Sequence, residues 1–281
     1  MSFLRRIQLW AWKRCRRLGV DRFARRLYVL VVAGLLDWHT RRTVAGETVE
    51  FPVTNWYELR RARGALDEEA VLESLLDDLD GDEVVWDIGA TVGTYACFLA
   101  RRLETGRVVA FEPSPANRRR LAENLRANAP AERWRVSPVA LTDTDGPVGL
   151  VAASNNEADV PGMGHHHLAP DRGRSVQGCR GASLVGDGYA APDVLKIDVQ
   201  GAELQVLRGL GEHLDGVDIA YVELHPSKGE RYGTDAATVE SFLRERGFSL
   251  QRLGTTSDGR ADLGEDVFHV RAVRVSPESG N

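Results

Sequence analysis

From residue 65 onward, apolar positions switch repeatedly between helical and strand-like spacing. Ala65 to Leu79 carries Leu66, Ala70, Leu72, Leu75 and Leu76 on one helical face, with acids on the other. Glu83–Ile88, Arg107–Phe111, Trp134–Leu141, Asp193–Val199 and Val217–Leu224 read as strands, and Thr94–Leu103, Pro115–Asn128, Ala202–Leu210 and Ala236–Arg246 as helices. Such alternation requires a parallel sheet with crossover helices. Phe248–Leu253 and Val267–Val275 have no helix between them and predict an antiparallel pair. The expected fold is α/β, a doubly wound, mostly parallel sheet ending in a C-terminal antiparallel hairpin. Residues 151–192 lose all periodicity to Gly, Pro, Asn and Ser, which predicts a lid-like insertion facing the substrate.

Ahead of this body, Phe3, Leu4, Ile7, Trp10, Ala11, Cys15 and Leu18 share one helical face, opposite Arg5, Arg6, Lys13, Arg16 and Arg17. Residues 1–45 are therefore expected to form a basic amphipathic helical extension, with residues 46–281 as the main domain and its core at about 81–275. Such a helix has two readings: it lies on an anionic membrane surface, or it docks on its own body or a partner subunit. The apolar run Leu27–Leu36 is ten residues long, short of the roughly 20 needed to span a bilayer. No secretory leader is expected.

Composition sharpens this picture. The 281 residues are 43% hydrophobic and 27% charged, as in ordinary globular proteins. The net charge of −5 hides a split. Residues 1–45 hold eleven Lys/Arg against two acids, leaving −14 for the remainder. An acidic body argues against a nucleic-acid substrate. Three distant cysteines, Cys15, Cys97 and Cys179, with no Cys-x-x-Cys pair, fit a reducing, cytoplasmic setting. Peripheral attachment at the inner membrane face accompanies the first reading of the extension.

The richest string is Val84 to Tyr95, an apolar strand, then Asp87, Gly89, Ala90, Thr91, Gly93 and Thr94 opening a helix. Its glycines permit a tight turn and close approach of a nucleotide-type ligand at the sheet edge. The Gly-x-x-x-Gly spacing differs from the dinucleotide Gly-x-Gly-x-x-Gly, and Asp87 would repel a pyrophosphate while suiting an ammonium group. Glu112 ends the next strand, nineteen residues after Gly93, where a carboxylate accepts ribose hydroxyls. A cationic, ribose-bearing ligand meets both demands. S-adenosyl-L-methionine is such a ligand.

Together these residues resemble the FkbM family of S-adenosylmethionine-dependent methyltransferases, in the class I Rossmann-like group. The resemblance runs from about Gly81 to Leu253 in five blocks: Trp86–Gly93, Phe111–Pro113, Val139–Asp143 with Gly146, Leu195–Glu203, and Val222–His225. It implies O-methylation of a hydroxyl on a sugar, glycan or other secondary metabolite, with Asp143 joining the cofactor site. Thr91 stands where the family usually has Asn, and Gln200 where it has Glu. Gln keeps hydrogen bonding without basicity, so a turn-ordering role survives the change.

Asp198, ending a strand beside the cofactor strand, is the first candidate for general base or acceptor positioning. Glu223 and His225 share a face of the next strand end, and Lys196 shares a face with Asp198 as a catalytic or a structural partner. Asp198, Glu223 and His225 show no tight ligand spacing, so no metal is expected. His165, His166 and His167 fall in the lid, as a solvated loop or an acceptor contact. Two other readings are a non-catalytic nucleoside-binding scaffold in a biosynthetic complex and an NAD-dependent oxidoreductase.

Overall fold

A computed structural model describes residues 21–35, 38–62, 68–152, 160–162, 166–255 and 267–275. The amphipathic segment at residues 3–18 lies outside these. The chain begins with helix α1 (Asp21–Leu35), hairpin β1 (His39–Val44) and β2 (Glu47–Pro52), and helices α2 (Trp56–Ala62) and α3 (Glu69–Asp77). The doubly wound core follows as β3 (Val84–Ile88), α4 (Thr94–Arg102), β4 (Arg107–Phe111), α5 (Pro115–Asn128) and β5 (Trp134–Ser137). Next come β6 (Ala140–Leu141), β7 (Gly146–Ala152), β8 (His166–Ala169), β9 (Arg174–Cys179) and α6 (Gly181–Gly186). The chain returns to the core through β10 (Val194–Ile197), α7 (Glu203–Gly209), β11 (Ile219–Leu224), α8 (Pro226–Gly229), α9 (Ala236–Glu245), β12 (Phe248–Thr255) and β13 (Phe268–Arg274).

The main sheet has seven strands in the order β12-β13-β11-β10-β3-β4-β5. Only β13 runs against its neighbours, pairing antiparallel with both β11 and β12, so the expected C-terminal hairpin is present. Parallel strands are buried on both faces. Here period-two alternation feeds two separate cores: Val85, Val108, Ala110 and Tyr221 pack with α3, α4 and β2, while Trp86, Ile88, Val109, Phe111 and Ile197 pack with α7 and α9. Local signals set the helix ends. Ser114 precedes Pro115 at the start of α5, and the Asp235 carboxylate accepts from Thr238 N at the start of α9.

Three expectations need correction. Residues 39–44 form a strand rather than helix, because β1 pairs with β2, whose Val49 and Phe51 are buried against the body. The single strand expected over Trp134–Leu141 is two: β5 ends the main sheet and β6 joins a second one. Residues 151–192 also contain regular structure. With β6 and β7 they form a four-stranded sheet, β6-β9-β7-β8, in which Gly149 passes Arg172 so closely that a Cβ would lie 1.8 Å from the Arg172 carbonyl oxygen. Glycine there is a packing requirement of the sheet rather than a sign of loop.

α1 is amphipathic. Val29 is buried and the Tyr28 ring meets Trp56 edge-on at 5.7 Å, whereas Phe23, Leu27, Leu30, Val31 and Leu35 face outward. Among the described residues, no helix is long and apolar enough to cross a membrane.

Candidate active site

At the C-terminal edge of β3, β4 and β10 lies a cleft, where the fold's topology places ligands. Ile88, Gly89, Thr91, Phe111, Glu112, Asp198 and Gln200 line it from the main sheet and its loops. Val139, in the link before β6, and Leu141, Leu150, His166 and His167, on the second sheet, also line it, so part of the segment expected to be a lid forms a wall. His166 and His167 lie on β8; His165 falls outside the described residues.

The β3–α4 loop is held by its own hydrogen bonds. Gly89 N and Ala90 N both donate to Phe111 O, and Gly93 N donates to Ala90 O. Thr91, in the left-handed region at φ 53°, donates its N–H to Glu112 Oε2 at 2.9 Å. Ser114 N donates to Glu112 Oε1 at 2.7 Å. Each carboxylate oxygen can accept twice, so Glu112 both orders the loop and keeps acceptor capacity toward the cleft. Gly89 packs against the β10 end so tightly that a Cβ would fall 1.9 Å from Asp198 O.

Not every expected cofactor residue reaches this cleft. Asp87 points to the other face of the sheet, with Val85, where α4 covers it; it is buried, and its Oδ2 has no hydrogen-bond partner among the described residues. Burial pushes its carboxyl up to about 7, although the ammonium of Lys196, its register partner on β10, pulls the other way. Ala90 and Gly93 lie in the β3–α4 loop, Thr94 opens α4, and Asp143 lies in the β6–β7 turn; none of these lines the cleft.

Asp198, Glu223, His225 and Lys196 are brought together. Ile197 pairs with Val222, so Asp198 and Glu223 stand side by side where β10 and β11 end. The donor atoms of Asp198, Glu223 and His225 lie within 4.8 Å of one another. Gln200, in the left-handed region at φ 61°, ties the group together. Its Nε2 donates to Asp198 Oδ1 at 2.8 Å and contacts His225 Nε2 at 3.0 Å, and its Oε1 accepts from Lys228 Nζ at 2.8 Å.

On the far side of the ring, His225 Nδ1 meets Glu203 Oε1 at 3.0 Å. A Gln200 amide donating to Nε2 requires the tautomer protonated at Nδ1. Burial pulls the imidazole down, but the Glu203 hydrogen bond and the charges of Glu223 and Asp198 outweigh it and hold His225 above its ordinary value. Lys196 is fully buried, its Nζ 4.8 Å above the Tyr95 ring and 4.0 Å from Glu223 Oε2. Burial opposes its charge, yet Asp198, Glu223, Glu68 and Asp87 surround it and raise its pKa.

Glu203, Lys228, Glu68 and His269 belong to this cluster and were not among the residues singled out in the sequence. Only Glu203 had a signal there, as the last acid of the Leu195–Glu203 block.

Relatives of the chain are methyltransferases. It is 30% identical over 233 residues to a hexuronic acid methyltransferase, AglP, of Haloferax volcanii, covering 78% of this chain and 90% of that protein. It is 25% identical to the methyltransferase sdnD of Sordaria araneosa, over 70% and 83% of the two chains. A crystal structure of methyltransferase FkbM from Methylobacillus flagellatus superposes with a TM-score of 0.49 at 15% identity, over 71% of this chain and 46% of that one. Residues 87–250, more than half of the sequence, match the methyltransferase FkbM domain, so the chain belongs to the FkbM family and is a methyltransferase rather than a scaffold or an oxidoreductase.

Proposed function

We propose that this enzyme uses S-adenosyl-L-methionine to methylate a hydroxyl oxygen of a sugar acid or a glycan containing one. The likeness to a hexuronic acid methyltransferase supports the acceptor class. The observation that carries the reading is the placement of Asp198. It lies both in the cleft wall and in the buried polar cluster, with its side chain 26% exposed while Glu223, His225 and Lys196 are nearly enclosed.

The cleft fits the methyl donor. Phe111, Val139, Leu141 and Leu150 offer apolar walls to a flat base, and Glu112 has acceptor capacity for ribose hydroxyls at the end of β4. The acidic cluster beyond Asp198 favours a ligand of net positive charge. When bound, S-adenosylmethionine supplies a methyl group on a positively charged sulfur; the carbon–sulfur bond breaks as the carbon–oxygen bond forms. The protein's first task is alignment, since holding reactants in line removes much of the barrier. Its second is to receive the acceptor's proton. Asp198 takes that proton, its Oδ1 oriented by Gln200, which is fixed in turn by Lys228 and His225.

The test is turnover on uronic-acid glycosides, read as gain of one methyl increment by mass spectrometry and release of S-adenosylhomocysteine. Asp198→Asn keeps shape and removes basicity. It should lower kcat by about 10²–10⁴-fold with little change in cofactor affinity. Parallel loss of cofactor binding would assign Asp198 to holding the cofactor instead.

For its setting we propose a cytoplasmic protein that touches an anionic membrane through residues 1–45. The outward stripe of α1, with Phe23 71% and Leu35 82% exposed, lies within residues 1–45, which carry eleven Lys/Arg and two acids. Full-length protein should co-sediment with phosphatidylserine vesicles at low salt and release as salt rises. Salt-insensitive self-association without vesicle binding would give the stripe to a second copy.

A further inference from the structure

We propose that Asp198, Glu223 and His225 form a binding site for one divalent transition-metal cation, beside the methyl-acceptor position. The inference rests on the cleft being the methylation site, and two features of the cluster support it.

The first is geometry. His225 Nε2 lies 3.8 Å from Asp198 Oδ1 and 3.5 Å from Glu223 Oε1, and the three donors span no more than 4.8 Å. Ligands about 2.0–2.2 Å from one ion are separated by roughly 3.0–3.6 Å. Small rotations of the Asp198 and Glu223 side chains therefore bring the set onto one ion. The Gln200 Nε2 group already stands among these donors, 2.8 Å from Asp198 Oδ1 and 3.0 Å from His225 Nε2, a partial positive charge where a cation would sit. Its other anchor, Lys228 at 2.8 Å, holds the amide oxygen; a cation would take the place of the amide NH₂ at Asp198, which would then bind the metal through one carboxylate oxygen and keep the other for the acceptor's proton.

The second is the placement of Glu223. This residue is 8% exposed, and Lys196 Nζ at 4.0 Å and His269 Nε2 at 3.6 Å both stand on its Oε2 side. Its Oε1 is turned to His225 Nε2 at 3.5 Å, longer than a hydrogen bond, which leaves room for an ion between them.

Two carboxylates and one imidazole suit Mn²⁺ or a similar ion better than Ca²⁺, which prefers six to eight oxygens. The second shell is also present. His225 Nδ1 faces Glu203, the carboxylate–imidazole pairing that fixes Nε2 toward a metal. Three protein ligands leave coordination positions open to water or to oxygens of the acceptor. In that arrangement the cation would orient a pair of neighbouring sugar oxygens against the methyl donor.

Mn²⁺ is the probe, followed on full-length protein by the electron paramagnetic resonance signal of the free ion and by titration calorimetry, with and without S-adenosylmethionine. One Mn²⁺ per chain is expected, weakened at least about tenfold in both Glu223→Gln and His225→Asn. Thermal melts of each variant confirm folding, and Glu203→Gln, which leaves all three ligands in place, should give a smaller loss. No saturable binding at millimolar Mn²⁺, or full-strength binding retained in both ligand variants, overturns the site. Nucleoside binding is scored separately: S-adenosylmethionine bound without Mn²⁺ defeats the metal proposal alone, and Mn²⁺ bound without S-adenosylmethionine defeats the cofactor reading alone.

Discussion

Replacing Glu112 by Gln tests whether one carboxylate both builds the cofactor loop and binds the nucleoside. The two oxygens of Glu112 are used separately, Oε2 by Thr91 N at 2.9 Å and Oε1 by Ser114 N at 2.7 Å. A glutamine offers one oxygen, so one of these N–H groups must face an amide NH₂. A buried donor left without an acceptor costs about 1–3 kcal/mol. Thr91 depends on the bond most, because a non-glycine residue at φ 53° persists only where its surroundings hold it. Taking about 2 kcal/mol, and roughly 2–4 °C per kcal/mol for a domain of this size, the melting temperature should fall by about 4–8 °C. Ligand binding should fall further, since the substitution also removes a charge-assisted acceptor worth about 1.5–3 kcal/mol, or roughly 10–150-fold in Kd. Differential scanning calorimetry and calorimetric titration of S-adenosylmethionine read the two effects independently. An unchanged melting temperature would refute the loop-building role. A lowered melting temperature with unchanged affinity would refute the nucleoside contact and leave Glu112 purely structural.

Other perturbations follow from the same geometry. Gly89→Ala should abolish cofactor binding and destabilise by more than about 3 kcal/mol, because its Cβ would meet Asp198 O at 1.9 Å in a left-handed backbone; a stable, binding-competent variant would disprove that packing. Asp87→Asn should stabilise the fold above pH 7 and progressively less toward pH 4. Asp87's folded pKa, about 7, exceeds its ordinary 3.8, so the wild-type carboxyl lowers stability as pH rises between those values; urea melts across that range should show the two proteins converging in acid. Asp78→Asn should act in the opposite sense. Asp78 accepts from Arg271 at 2.6 and 2.7 Å and from Tyr221 Oη at 2.5 Å. Burial opposes its charge, but those hydrogen bonds hold its pKa below 3.8, so its contribution is present above pH 4 and is lost as pH falls through the lowered value. A variant equally stable at pH 7 would show that the Asp78 pair contributes nothing.

The sequence determined what is encoded over a few residues. β3, β4, β10 and β11 announced themselves as apolar runs ended by acids, and α5 by Ser114-Pro115 and its period, because burial on both faces and local capping leave direct marks in residue order. Alternation also held the true position of Asp87: counting two from Val85 puts it on the α4 face, away from the cleft, against the expectation drawn from its nearness to Gly89. The second sheet escaped because its strands are short and rich in glycine, Gly149 among them, so packing rather than side-chain pattern defines them. The polar cluster was legible only in pieces. Glu223 and His225 are neighbours on one strand end, but Asp198 ends a different strand, and only strand pairing, Ile197 beside Val222, brings its atoms within reach of theirs. Spacing along a sequence reports ligands carried by one helix or loop; ligands assembled across neighbouring strand ends depend on sheet order and register, which long-range packing decides.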